Sequence, residues 1–516
     1  MIEFSAAQLA AICNGRLADG TDPNLLIDVA LTSTDSRDVA PGSLYVAKSG
    51  ENLDGHDFLE AAFTAGAVLA LSERDVPLPA GVGVFPAVVV VDAVLAMGMI
   101  AAEVVRRIRE HSPLSVIAIT GSAGKTTTKD LLAGILATVG ETVSPVGSYN
   151  GEVGVPLTVF RAVESTRYLV IEMGATKIGN IRYLCSIVNP DVGVVLCVGT
   201  AHAGEFGSIA NIAMAKGELV EALSAAGTAI LNYDDARVRS MASRTQAPVM
   251  FFSSAEASED THGGPAVVVN ASNVRTTDGR PSFGLLFQGE TEALPVHSQL
   301  LGLHHVTNLL AAAAAANAVG VPAATIAASL NAQGPASRYR MELTDRPDGV
   351  TIINDAYNAN PESMRAALRT LAELGGSGAR RTWAVLGEMR ELGEDSVLEH
   401  DAVGRVAVRL NISRLIVVGT PARAMHVGAV MEGSWGNESM FVADMDAAHQ
   451  ILKQELGAGD VVLVKSSNGA GLRFLGDQLV DDRIALFTNV TETPLDLQTE
   501  HGNPTGSNSG ERNQQS

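Results

Sequence analysis

The segment Ile117-Ala118-Ile119-Thr120-Gly121-Ser122-Ala123-Gly124-Lys125-Thr126-Thr127-Thr128 constrains the fold more than any other stretch of this chain. Val116 to Ile119 reads as a buried, β-branched strand, and Leu131, Leu132, Ile135, Leu136 and Val139 then recur at helical spacing. A strand that turns through glycines straight into a helix is the building unit of a parallel sheet with helical crossovers. The turn also carries chemistry. Its glycines let successive N–H groups converge on an anion, Lys125 adds a mobile positive charge, and the helix presents its N-terminus. The Thr126 hydroxyl suits a magnesium ion. Residues Gly121, Ser122, Ala123, Gly124, Lys125, Thr126 and Thr127 are therefore expected to hold the β- and γ-phosphates of a nucleotide. The spacing is shorter than the general phosphate-loop pattern, which would place another glycine near Ile119. A plain Gly-Ser-Ala-Gly turn with a solvated lysine is the competing reading. The strand before the turn and the helix after it favour the nucleotide.

At 516 residues the chain exceeds a single core, and its length suggests roughly three domains. With 46% apolar and only 4% aromatic residues, the expected core is small-residue helices on valine-rich strands. The net charge of −21 argues against sequence-independent nucleic-acid binding, which needs a basic face. It leaves room for a small anionic substrate held by local lysine, arginine and magnesium. Cys13, Cys185 and Cys197 are too few and scattered for a disulfide framework, so a reducing compartment is expected. The opening residues include Glu3 and lack a basic-then-apolar leader pattern. The apolar stretch from Val82 to Val105 is broken by Pro86, Asp92 and Glu103 and reads as strand then helix, not as a membrane span. A cytoplasmic protein is expected.

Three units and a tail follow from the patterning. Residues 1–110 alternate short strands and helices. Residues 111–335 carry strand candidates at 116–119, 168–172, 192–198 and 228–231, separated by helical patterns as in a parallel sheet. The polar stretch 253–265 and the Asp278-Gly279 turn suggest an antiparallel addition, and an alanine-rich helix through Ala311–Ala316 is expected to close the unit. In residues 336–487, strands near 350–353, 382–386, 414–418 and 461–464 alternate with helices near 361–374, 397–409, 444–456 and 471–480. That is a Rossmann-like arrangement without the Gly-x-Gly-x-x-Gly fingerprint. Residues 488–516 turn polar and are expected to be a disordered tail.

Outside the loop, Glu172 ends an apolar strand and precedes Met173-Gly174, the position from which an acid faces the magnesium side of a phosphate loop. A strand-end glutamate in water is its plain alternative. His202 follows another strand, and a structural histidine is the default there. Lys216, in Ala213-Met214-Ala215-Lys216-Gly217-Glu218, is by default a solvated helix lysine. Spacing alone gives neither residue a role.

Taken together, these segments resemble the Mur ligase family of ATP-dependent amide-bond-forming enzymes, whose phosphate loop is also shortened. The matches run in family order through Asn150-Gly151-Glu152-Val153-Gly154-Val155-Pro156, Ile171-Glu172-Met173-Gly174, His202-Ala203-Gly204-Glu205-Phe206-Gly207-Ser208 and Ala215-Lys216-Gly217-Glu218. They continue with Gly302-Leu303-His304-His305-Val306-Thr307-Asn308, Ser337-Arg338-Tyr339-Arg340-Met341-Glu342 and Asn354-Asp355-Ala356-Tyr357-Asn358-Ala359-Asn360-Pro361. His305 is a departure, since the family most often has asparagine before Val306. The Tyr357-to-Pro361 segment is typical of the branch that adds D-alanyl-D-alanine to a UDP-N-acetylmuramoyl tripeptide (UDP-MurNAc-tripeptide, D-Ala-D-Ala). The tripeptide-forming branch usually carries Asp-Asn-Pro-Arg, which is absent here. Asp35-Ser36-Arg37 through Asp54-Gly55-His56-Asp57-Phe58 resembles the UDP-binding front unit, which folate polyglutamylating relatives lack.

The resemblance implies an α/β fold of three domains: an N-terminal UDP-binding α/β domain, a central phosphate-loop ATPase-like parallel sheet, and a C-terminal Rossmann-like domain that binds the acceptor. It implies ATP and Mg2+, with two ions. Thr126 and Glu172 would serve the first ion. His202 would help hold the second, together with a carbamylated Lys216. Lys125, Glu172, His202 and Lys216 would form the catalytic set, and Asn308, Arg338 and Asp355 would contact ATP. Thr34, Ser36, Arg37, Asn52 and His56 would hold the UDP moiety, and Asn150, Tyr357, Asn358 and Asn360 complete the substrate-binding set, with Asn358 and Asn360 facing the dipeptide. A monomer is expected, with no nucleic-acid partner. The rivals are a related ligase adding a single amino acid or polyglutamate, and a regulatory protein that uses the loop as a nucleotide switch.

Overall fold

The computed structural model describes residues 2–50, 53–79, 83–200, 203–255, 267–376, 378–433 and 436–490. Its largest sheet has nine strands, with Ser115–Thr120 lying between Val192–Val195 and Tyr168–Glu172 and parallel to both. Thr142–Val143 extends the sheet beyond Tyr168–Glu172. On the other side Thr228–Asn232, Val249–Ser253 and Val267–Thr277 follow, all parallel. Except for the half-polar Val267–Thr277, these runs are mostly apolar because helices cover both faces of a parallel sheet. Two antiparallel strands, Arg280–Phe287 and Leu294–His297, complete the sheet. Asp278 and Gly279 turn the chain from Val267–Thr277 into Arg280–Phe287 with φ of 49° and 72°, the paired left-handed geometry of a two-residue hairpin. Of the expected irregular stretch, residues 256–265 lie outside the described residues.

The alanine-rich helix His305–Ala318 packs on the helix that follows the phosphate loop, Lys125–Ala137. Ala311 to Ala316 have no exposed surface and share one core with Leu131, Leu132, Ile135 and Leu136. Small side chains permit this close approach. A second helix, Ala323–Ala332, closes the unit.

The third unit holds a six-stranded sheet in the order Glu342–Asp345, Thr351–Asn354, Val461–Lys465, Thr382–Leu386, Arg414–Val418, Ser439–Val442. Only the first strand is antiparallel. The expected doubly wound plan is thus present, with the two edge strands and the helix Arg423–Glu432 added to it. The last helix, Arg473–Val490, reaches into the segment expected to be a tail, and residues 491–516 lie outside the described residues.

The front unit has a four-stranded sheet, Arg16–Leu17, Ala87–Val89, Leu69–Ser72 and Leu44–Ala47 in that order, and a small two-stranded antiparallel sheet pairing Glu3–Ser5 with Leu26–Asp28. Helix Ala93–His111 begins at Asp92, whose carboxylate accepts from the N–H groups of Val94 and Leu95. Its buried residues Met97, Ile100, Val104 and Ile108 belong to a core that includes both Leu69 of the front unit and Leu184 of the central one. The two units are therefore joined through an apolar interface, and Ile100→Ala would cost both about 2–5 kcal/mol. Among the described residues no helix is long and apolar enough to cross a membrane.

Candidate active site

A cleft of about 1240 Å³ opens where the three units meet. The phosphate loop forms its floor, Thr34 and Lys48 reach it from the front unit, and Arg340, Asp355, Tyr357 and Lys465 reach it from the third. The loop lies at the carboxyl end of Ser115–Thr120, where the chain's crossovers go to opposite sides, the position at which open α/β sheets bind ligands. Thr120 Oγ1 donates to the Met173 carbonyl at 2.9 Å and ties the loop's root to the neighbouring strand. Ser122 N–H donates to the Cys197 carbonyl at 3.0 Å, and Ala123 N–H to Cys197 Sγ at 3.4 Å. Gly124 caps the helix with φ 82°, and any Cβ there would collide with the Asn308 side chain. Only glycine satisfies both demands. Thr128 N–H makes the first intrahelical bond, to Gly124, so the first-turn N–H groups remain available to an anion.

Lys125 Nζ donates to the Gly121 carbonyl at 2.7 Å. Burial lowers its pKa from the ordinary lysine value, and the Glu172 carboxylate opposes that fall. Glu172 is 1% exposed and fully engaged: Thr126 Oγ1 donates to one oxygen at 2.9 Å and Asn150 Nδ2 to the other at 2.8 Å. Ser148 Oγ lies 3.1 Å from Thr126 Oγ1 and accepts from Arg340 Nη2 at 2.8 Å. One carboxylate and two hydroxyls are hard oxygen donors. They fit a magnesium ion that keeps waters and takes phosphate oxygens, and no cluster of three His, Cys, Asp or Glu occurs among the described residues.

On the third unit, Asp355 sits at the end of strand Thr351–Asn354. Its Oδ2 accepts from Lys465 Nζ at 2.6 Å and its Oδ1 from Met341 N–H at 3.1 Å. Lys465 also donates to the Asn358 carbonyl at 2.9 Å, which shapes the Asp355-to-Asn360 turn. The guanidinium of Arg340 lies 4.5 Å from the Tyr357 ring centroid. Asn308 is buried behind the loop, with Nδ2 at 3.1 Å from His305 Nδ1 and Oδ1 accepting from Thr128 Oγ1 at 3.4 Å. The unusual His305 is thus a buried partner of Asn308.

The other expected residues are placed differently. Lys216, by default a solvated lysine, is 3% exposed, and burial together with the Lys125 ammonium brings its pKa down to about 7. It does not line the cleft. Arg338 points away, donating to Asp477 at 2.8 Å and Glu342 at 3.4 Å, while Arg340, two residues on, lines the cleft. Arg37 pairs with Asp35 at 2.6 Å, and neither it nor Ser36 lines the cleft. His56 is buried, with Nδ1 at 2.5 Å from Asp54 and Nε2 accepting from the Glu73 N–H at 3.0 Å. His202 and Asn52 lie outside the described residues. Lys48, Arg340, Glu362 and Lys465 line the cleft without having been singled out from the sequence. For Lys465 a signal existed: it ends an apolar strand, as Glu172 does.

Comparison with known proteins agrees with this geometry. The family descriptions "Mur ligase family, catalytic domain", "Mur ligase middle domain" and "Mur ligase, glutamate ligase domain" match residues 28–112, 119–316 and 339–468. The UDP-N-acetylmuramoyl-tripeptide–D-alanyl-D-alanine ligase of Mycobacterium bovis is 45% identical over 93% of this chain and 98% of its own. The crystal structure of MurF from Acinetobacter baumannii superposes with a TM-score of 0.80 at 29% identity, covering 93% of this chain and 99% of that one. MurF ligase from Thermotoga maritima, solved in complex with ADP, gives 0.71 at 25% identity over 88% and 99% of the two chains. The chain belongs to the Mur ligase family.

Proposed function

We propose that this enzyme joins D-alanyl-D-alanine to UDP-N-acetylmuramoyl tripeptide at the expense of ATP, giving the pentapeptide precursor of peptidoglycan. The observation that carries the reading is the single cleft in which one phosphate loop is faced by the front unit on one side and the third unit on the other. Similarity along nearly the whole chain to proteins named UDP-N-acetylmuramoyl-tripeptide–D-alanyl-D-alanine ligase supports the choice of substrates.

The chemical problem is that a carboxylate is a poor electrophile and amide formation in water is uphill. The γ-phosphoryl group of ATP moves onto the tripeptide's terminal carboxylate, making an acyl phosphate. The dipeptide amine then attacks the acyl carbon, the phosphate leaves with one carboxylate oxygen, and the amide forms. Two anions must meet in the first step. Lys125, Arg340 and the first-turn N–H groups offset that repulsion and stabilise the charge on the transferring group. Thr126 and Glu172, with Ser148 beside them, would hold magnesium, which supplies Lewis-acid neutralisation of phosphate oxygens. Asn150 orients the Glu172 carboxylate. Asn308, which lines the cleft, is assigned to the adenosine side of ATP.

Lys216, with His202, is the proposed seat of a second ion through carbamylation. A pKa of about 7 keeps a large neutral fraction of the amine, the form that reacts with CO₂. CO₂ depletion or Lys216→Ala lowers turnover on this account, and unchanged turnover rejects that part of it. Thr34 and Lys48 face the UDP-linked substrate. Tyr357 and Asn358 face the dipeptide, and the third unit's contact with the loop keeps water from the acyl phosphate. The enzyme is taken to work as a monomer in the cytoplasm, where ATP and UDP-linked substrates are available. Mass spectrometry of the product made from UDP-muramoyl tripeptide, ATP and D-alanyl-D-alanine tests the reading. Pentapeptide is expected; stimulation of ADP release by single amino acids, and none by the dipeptide, rejects it.

A further inference from the structure

Both ends of the Asn360 side-chain amide are engaged. Its oxygen caps helix Pro361–Gly375 by accepting from Ser363 N–H at 2.8 Å, and its Nδ2 donates to the Ser122 carbonyl of the phosphate loop at 3.4 Å. Two residues on, Glu362 accepts from the Thr200 N–H at 2.9 Å and from Thr200 Oγ1 at 3.0 Å. Thr200 follows Gly199, whose N–H donates to Ser122 Oγ at 2.9 Å. A Cβ at Gly199 would lie 2.9 Å from the Glu362 carboxylate, so the glycine permits the acid's approach. The contacts close a ring: Ser122 to Gly199–Thr200, on to Glu362, then Asn360, and back to Ser122. Half of the ring belongs to the nucleotide-binding unit and half to the third unit.

We propose that Asn360 and Glu362 are positioning residues for the nucleotide: the docked third unit clasps Ser122 and sets the phosphate loop. This rests on the reading that the loop holds ATP. Asn360 is 5% exposed with its amide already bonded at both ends, which leaves little of it to grip a dipeptide. Glu362 lies in the first turn of its helix, where the dipole favours a carboxylate, and its bonds to Thr200 are charge-assisted. An acid beside a phosphate site opposes anion binding electrostatically. Its benefit must therefore be geometric, and acid-to-amide replacement separates the two effects.

The test measures affinity for the non-hydrolysable analogue AMP-PNP with magnesium by calorimetry, and KM for D-alanyl-D-alanine, in E362A, E362Q, T200V and T200S. Loss of a charge-assisted bond predicts about tenfold weaker AMP-PNP binding in E362A, equivalent to about 1.4 kcal/mol, with the dipeptide KM moving by about twofold at most. E362Q keeps an acceptor for Thr200 and recovers most of the affinity. T200V falls with E362A, and T200S restores binding. Tighter nucleotide binding in both E362A and E362Q would show that the carboxylate only repels phosphate, and would overturn the proposal. A raised dipeptide KM with unchanged AMP-PNP affinity would overturn it equally. Because AMP-PNP binding is read without turnover, a wild-type enzyme that makes no pentapeptide counts against the functional reading alone.

Discussion

Replacing Gly124 with alanine tests the phosphate loop at its tightest point. Two costs can be worked from the structure. The residue sits at φ 82°, a left-handed conformation that costs an L-residue about 1–2 kcal/mol. Its new methyl would also displace the Asn308 side chain, whose bonds to His305 and Thr128 are then strained or lost, adding about 1 kcal/mol. Together these come to about 2–3 kcal/mol, and the protein can absorb them in two ways. If the loop holds its shape, folding stability falls by that amount, a shift of about 4–12 °C in the melting temperature of a domain this size. If the loop shifts instead, its N–H groups no longer converge, and nucleotide affinity falls by about 30- to 150-fold. Calorimetric titration with ATP and magnesium, paired with thermal melting, captures both routes. Gly457→Ala is the control, because that glycine has neither a positive φ nor an atom near its would-be Cβ. Wild-type affinity together with a wild-type melting temperature in G124A would refute the geometric reasoning.

Other expectations follow from the buried charges. Asp355→Ala leaves the 3%-exposed Lys465 ammonium without its carboxylate, which should destabilise the third unit by about 3 kcal/mol; an unchanged melting temperature would contradict the pairing. Burial holds Lys216 at about 7, below its unfolded value of about 10.4. Between those values the unfolded chain binds a proton that the folded chain lacks, so this group makes stability rise with pH across the window. In CO₂-depleted buffer the wild type should show that rise and K216M should lack it; parallel curves for the two proteins would contradict the assignment.

The parts of the site written in consecutive residues were legible before any coordinates. The strand, glycine loop and helix around Gly121–Thr127 announce themselves because β-branched alternation, glycine and helical period are local properties. Glu172 was legible for the same reason, at the end of its strand. Arg338 and Arg340 show where this stops. Both flank Tyr339, whose φ of 61° and that of Met341 at 51° twist the segment in a way no periodicity announces, and only Arg340 reaches the cleft. His56 and Arg37 were singled out as ligand contacts, yet nearby carboxylates, Asp54 and Asp35, engage them. Glu362 meets Thr200 across 162 positions of sequence, a contact that exists only once the third unit has docked. The short edge strand Ser439–Val442 and helix Arg423–Glu432 were missed because their patterns are brief, and their existence depends on the sheet beside them.

Whether the loop delivers a phosphoryl group to a carboxylate brought by the front unit can be read from tripeptide substrate labelled with ¹⁸O in its terminal carboxylate. Transfer through an acyl phosphate carries one labelled oxygen into the released inorganic phosphate. Unlabelled phosphate, with all the label retained in the peptide or lost to water, would rule out an acyl phosphate.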